Sequence, residues 1–141
     1  MKALVTIFAI AALVLLASVS TAAQSSSPSS SPSSAAPKYD LSAESVIAGK
    51  VVSVHDRQCP VSGTLGAHFM LESEAGKTYE VHLAPTKFTN DFDMVFRPGD
   101  KVEVTGTVLV FQDKDAILAR QVKHGTETVT FRDKKGNPIW N

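Results

Sequence analysis

Between residues 46 and 132 the chain is a succession of short β-patterned runs separated by turn chemistry. Residues 46–55 (VIAGKVVSVH) are rich in β-branched side chains and include a glycine that permits strong strand curvature; a loop-like stretch follows over 56–67. Residues 68–73 and 77–83 alternate apolar and polar positions about Glu74-Ala75-Gly76, a hairpin signal. The alternation stops over 84–96, where Pro85 and Asn90 stand among Phe88, Phe92, Met94 and Phe96. That pattern predicts an irregular or short helical connection whose aromatics plug the core. Arg97-Pro98-Gly99-Asp100 predicts a turn, because Pro presets one central dihedral and Gly tolerates the other.

Residues 101–111 alternate again, with Val102, Val104, Gly106, Val108 and Val110 on one side. A turn at Asp113-Lys114-Asp115 leads into a strand over 116–123. The tail predicts an added strand over 127–132, then a turn that returns Trp140 to the barrel wall. Five main strands, a long connection between the third and fourth, and a glycine inside the first and fourth outline an all-β fold. The expected form is a small five- to six-stranded OB-like barrel over 45–141, with a β-sandwich as the competing architecture.

The hairpin register follows from its loop. If Gly76 takes the left-handed position of a three-residue loop, Ser73 faces Lys77, Phe69 faces Val81 and Leu71 faces Tyr79, which makes one face continuously apolar. A two-residue loop would pair apolar with polar residues, and a half-buried sheet does not tolerate that. The favoured register sets His68 opposite His82, beside Met70 and Glu80, on the face turned away from Phe69 and Leu71. Facing Cβ atoms in an antiparallel pair lie about 5 Å apart, so two imidazoles there can share a metal ion.

The chain's one cysteine, Cys59, sits in the stretch before this hairpin, and His55 closes the preceding strand. Cys59, His68 and His82 are therefore the candidate metal ligands, with His55 and Met70 as outer candidates. A Cys and two His with a nearby Met are the ligand types of copper sites, and without the Met the same set suits zinc. The plainer alternatives stay open: two solvated histidines on a polar hairpin face, and a cysteine that is a small buried hydrophobe or an intermolecular disulfide former. Asp113 and Asp115 lack the further oxygen ligands of a calcium loop, and Ser62 and Ser73 have neither an elbow motif nor a partnered base.

The start of the chain bears on where the domain works. Lys2 precedes an uncharged apolar run over 3–19, and Ser20-Thr21-Ala22-Ala23 supplies small residues suited to signal peptidase, so 1–23 is expected to be a cleaved signal peptide. The rival is an uncleaved anchor, since about 17 apolar residues is the lower limit for a bilayer span. No cysteine near this boundary supports a lipid anchor. Residues 24–44 begin with a Ser/Pro/Ala run that is too polar to offset its ordering entropy, and are expected to form a disordered linker. The 14 basic and 14 acidic residues balance, and loss of Lys2 with the signal leaves a net charge of −1. This argues against a dedicated nucleic-acid binder.

The pattern Cys59-Pro60, Ser62-Gly63, His68, Val81-His82-Leu83, Arg120, Arg132-Asp133, Gly136, Pro138, Trp140 resembles small exported bacterial OB-fold-like domains, and its tail is similar to the domain shared by the magnetosome proteins MamS and MamX. The resemblance implies a bacterial periplasmic or secreted protein associated with iron or electron transfer. This chain has no Cys-x-x-Cys-His, which excludes covalent c-type haem. The expected function is a non-enzymatic exported module that binds a protein or small ligand, with no nucleic-acid partner and no membrane span after signal cleavage. The alternatives are a metal-dependent or redox protein using the Cys/His cluster, and a purely structural module.

Overall fold

The computed structural model describes residues 35–140; the expected signal peptide over 1–23 and most of the expected linker lie outside the described residues. A short 3-10 turn, Leu41–Ala43, leads into β1 (Glu44–Cys59), β2 (Thr64–Ser73), β3 (Thr78–Pro85), α1 (Thr86–Asp91), β4 (Lys101–Phe111), β5 (Lys114–His124) and β6 (Glu127–Thr130). All six strands belong to one sheet in the order β3-β2-β1-β4-β5-β6, and β3 also pairs in parallel with β5. That pairing closes β1 to β5 into a barrel with α1 between the third and fourth strands, the OB arrangement. A sandwich would need two facing sheets.

β1 serves both halves of the barrel because it bends. Gly49 and Lys50 pair with β2 and β4 at once, and a register shift between Val51 and Ser53 separates the part that pairs with β4 from the part that pairs with β2 alone. A Cβ on Gly49 would fall 2.3 Å from the Glu72 carbonyl oxygen, so the bend admits no side chain. Val51, Phe69, Leu71, Val81, Val104, Ile117, Val122 and Phe131 fill the interior with almost no exposure. Burying each such side chain stabilises the fold by about 1.5–3 kcal/mol.

Four expectations need correction. The stretch 56–67 is strand on both sides of a tight turn over 60–63: Asp56, Arg57 and Gln58 pair with Ala67, Gly66 and Leu65. Their polarity suggested a loop, but alternating strand residues on an outer face are free to be polar. The turn expected at 113–115 lies at Gln112 and Asp113, both at positive φ (51° and 60°), with Phe111 facing Lys114. Phe96 is buried and Phe88 and Met94 pack against the core, whereas Phe92 is 63% exposed. The helix ends at Asp91, before Phe92 can follow Phe88 inward.

The last correction concerns the linker, whose final residues belong to the fold. The Asp40 amide donates to Thr107 Oγ1 at 3.0 Å and the Thr107 hydroxyl donates to the Asp40 carbonyl at 2.9 Å. Arg120 grips Glu44 with two bonds, Nε to Oε2 at 2.8 Å and Nη2 to Oε1 at 2.7 Å, and the Tyr39 hydroxyl donates to the same carboxylate. Arg120 holds the Glu44 carboxyl below its ordinary range, while burial and the Glu44 charge push the Tyr39 phenol up to about 12. At the tail, Arg132 lies between the rings of Tyr39 (5.4 Å) and Trp140 (5.0 Å) and donates to the Gly136 carbonyl at 3.0 Å.

Candidate metal centre

The β2–β3 hairpin adopts the register expected from its loop. Phe69 faces Val81, Leu71 faces Tyr79, Met70 faces Glu80 and His68 faces His82, with Gly76 at φ 78°. β1 adds a third strand to this row, because His55 faces His68 across the β1–β2 pairing. Three imidazoles thus stand on one rung of the outer face. Strand alternation puts Arg57 and Cys59 on that same face further along β1.

Cys59 reaches the histidines across a gap left by a glycine. Gly66 lies on the rung between Cys59 and His68, and a Cβ there would approach Cys59 Cβ and Ser62 Oγ to 2.8 Å and His68 Cε1 to 3.1 Å. With that space open, Cys59 Sγ comes to 3.3 Å from His82 Nδ1, and His68 Nε2 comes to 3.0 Å from the same nitrogen. The three atoms lie within 4.8 Å of one another. Gly66 lies in the stretch expected to be a loop, and only the observed strand pairing gives it this role.

The cluster is buried although it lies on the outer face, whereas the polar face of a hairpin had suggested an exposed one. His68, His82 and Cys59 are 0%, 2% and 3% exposed. His55 stacks on His68 with ring centroids 5.6 Å apart, and Phe111 from the β4–β5 turn meets His82 edge-on at 5.7 Å. A cavity of ≈ 10 Å³, lined in part by Cys59, Ser62, Gly66, His68, His82 and Trp140, adjoins the three donor atoms. Polar alternation in the sequence does not show that a curled strand and a neighbouring hairpin will cover that face.

The electrostatics follow from this cover. Burial pushes both imidazoles down to about 4, and for His82 the neighbouring His68 adds to the effect, so both are neutral at pH 7. A neutral ring nitrogen has one lone pair or one proton, so His82 Nδ1 can serve only one of its two close neighbours as a hydrogen-bond partner. His68 Nδ1 and His82 Nε2 are buried without a partner among the described residues. The atoms that crowd one another are Cys59 Sγ, His68 Nε2 and His82 Nδ1, and a bound cation would take a lone pair from each of these three.

The outer candidates have other partners. His55 Nε2 lies 3.3 Å from Glu80 Oε1, and Arg57 Nε donates to the same oxygen at 2.8 Å. Burial acts to raise the Glu80 carboxyl, but the bonds and charge of Arg57 and the bond from His55 outweigh it and leave the group at about 2. Met70 is half-buried on the rung with Glu80, on the far side of His68 from Cys59. Its sulfur is therefore a neighbour of the Glu80 ion pair. A larger open groove of ≈ 550 Å³ lies beside the other half of β1, where Lys50, Lys101 and Lys123 are balanced by Glu72, Glu74 and Glu103 and no aromatic residue contributes.

With the barrel and the cluster described, comparison with known proteins places the chain. A profile of the MamS/MamX magnetosome protein family matches residues 44–129, well over half of the sequence. The chain belongs to that family. The match ends ahead of the Arg132-to-Trp140 tail in which the sequence resemblance was noted, so membership rests on the barrel strands, and it takes in Cys59, His68 and His82.

A search of curated proteins found no match. Among solved structures, this MamS/MamX-family chain is similar to a small single-stranded DNA-binding protein from Streptomyces coelicolor, at 20% identity and a TM-score of 0.46, over 59% of this chain and 92% of that one. It is also similar to apo TiaS, a tRNAIle2 agmatidine synthetase, at 19% identity and a TM-score of 0.44, over 72% of this chain and 24% of that one. No helix among the described residues is long and apolar enough to cross a membrane.

Proposed function

We propose that this protein is an exported, non-enzymatic binding module that holds one metal ion at Cys59, His68 and His82. The observation that carries this reading is the convergence of Sγ, Nε2 and Nδ1 on one small buried space with separations of 3.0 and 3.3 Å. Metal bonds of about 2.0 Å to nitrogen and 2.3 Å to sulfur place such donors about 3.4–3.7 Å apart, so binding needs only a slight opening. Copper and zinc both suit a thiolate with two imidazoles. Residues 1–23 serve as the signal, the Ser/Pro/Ala run as the tether, and the barrel works in the periplasm; membership of a magnetosome protein family is consistent with export. The balanced charge of the open groove favours a partner other than nucleic acid.

Trp140, the one tryptophan in the sequence, lines the cluster's cavity and reports on it. Titration of the purified protein with copper or zinc should change its fluorescence to a 1:1 endpoint, with one equivalent of metal by elemental analysis. Cys59→Ser and His82→Ala should lose the endpoint while keeping the β-sheet circular dichroism of the parent. Absence of stoichiometric metal after incubation with copper and with zinc would leave a purely structural module. Cell fractionation with intact-mass analysis tests export: the chain should be found in the periplasm without 1–23, and a cytoplasmic chain that retains Met1 overturns that part.

A further inference from the structure

We infer that the cluster takes a soft monovalent ion, copper(I), in three-coordinate form without water, an inference that rests on the metal-binding reading above. Zinc and other dications in Cys/His sites fill a fourth position with a protein donor or water. Among the described residues the Cys, His, Asp and Glu side chains able to join this group are Cys59, His68 and His82 alone. The adjoining cavity of ≈ 10 Å³ is about the size of one water-probe sphere, so it does not hold an ion and a bound water together. Met70 lies on the opposite side of His68 and His82 from the cysteine, which leaves the thioether out of the donor set.

Charge points to the same ion. Coordination displaces the Cys59 thiol proton to solvent, while both imidazoles bind as neutral donors and the copper stays in the monovalent state. The complex of one thiolate, two neutral rings and a monovalent ion carries no net charge. A dication in the same place leaves one uncompensated positive charge in a site whose three donor residues are at most 3% exposed, and burial of an unpaired charge is costly. Glu80, the carboxylate whose charge acts on both rings, is already committed to Arg57 at 2.8 Å and His55 at 3.3 Å and so offers little spare negative charge. Thiolate with imidazole is also a soft donor set.

The test is X-ray absorption spectroscopy on the full-length purified protein loaded anaerobically with copper(I), together with competition titrations using copper(I), silver(I) as a redox-inert monovalent probe, and zinc(II). The expected spectrum is three-coordinate, one sulfur and two nitrogens with no oxygen shell. Silver(I) should bind 1:1, and zinc(II) should bind roughly a thousandfold or more weaker than copper(I). An oxygen or nitrogen fourth ligand, or zinc(II) within roughly tenfold of copper(I), overturns the monovalent assignment while the metal site stands. Failure of all three ions to bind at one equivalent overturns the metal site itself. His82→Asn, which keeps a neutral polar group near the Nδ1 position, should abolish the copper spectrum with its circular dichroism intact and so separates loss of a ligand from loss of the fold.

Discussion

Two groups of buried and half-buried polar side chains meet the barrel wall, and they are built on opposite principles. In the network that ties residues 39–44 to the barrel, donors meet acceptors: Arg120 makes two short bonds to Glu44, Tyr39 adds a third, and Thr107 exchanges bonds with the Asp40 backbone. In the Cys59, His68 and His82 cluster, one nitrogen is approached by two neighbours and two others have none among the described residues. The first group matches opposite charges at the barrel edge; the second collects neutral groups that compete for one another. An unmade buried hydrogen bond costs about 1–3 kcal/mol, and atoms that compete for a single partner, as Cys59 Sγ and His68 Nε2 do for His82 Nδ1, are ones a cation would relieve.

That contrast breaks most sharply under substitution. Cys59→Ser should weaken copper(I) binding by at least roughly a thousandfold, about 4 kcal/mol, while Glu44→Gln leaves it unchanged. Competition against a chromophoric chelator reads both, and equal effects would erase the distinction between the groups.

Acid should separate them next. His68 and His82 titrate near 4 in the folded protein against 6.5 in the unfolded chain, so unfolded chains take up protons first as pH falls below 6.5. The metal-free protein should therefore lose stability between pH 6.5 and 4, by on the order of 3 kcal/mol for each ring, as followed by denaturant midpoints. Glu80, held at about 2, withdraws its own contribution only below the ordinary carboxylate range. Stability unchanged between pH 7 and 5 would contradict the burial of the two rings.

Smaller effects sharpen the picture. Gly66→Ala inserts a methyl 2.8 Å from Cys59 Cβ and should cost roughly 2 kcal/mol while displacing the thiol, seen as weaker metal binding. Arg120→Met removes the two bonds to Glu44 and should cost about 1.5 kcal/mol in thermal unfolding with metal affinity intact. Met70→Leu should change stability by less than about 1 kcal/mol and the metal-bound spectrum not at all. A lost sulfur signal in that variant would return Met70 to the donor set.

The hairpin was legible because its register had a local cause: Gly76 at positive φ, a three-residue loop, and one apolar face that tolerates no slip. From these the pairing of His68 with His82 followed. What did not follow was the burial of the pair, since it depends on β1 running as strand through Asp56, Arg57 and Gln58 and on Phe111 arriving from a hairpin some thirty residues away. Polar strand residues look like a loop when their partners are unknown. Cys59 was assigned to the site from its residue type and its place in the stretch before the hairpin, and its contact depends on Gly66, whose meaning appears only once the two strands are side by side. The network around residues 39–44 escaped notice because Glu44 bonds Arg120 and Tyr39 stacks on Arg132, both near the far end of the chain.

The parallel seam between β3 and β5 has three rungs, Glu80 with Ala116, Val81 with Ile117 and His82 with Leu118. One of the three donor residues is thus on the last rung that turns an open sheet into a cylinder, across a sequence separation of thirty-six residues. An ion held there as proposed, between His82 on one side and Cys59 on the other, would act as a clasp beside that seam, and loading the protein should slow its unfolding more than it speeds its refolding.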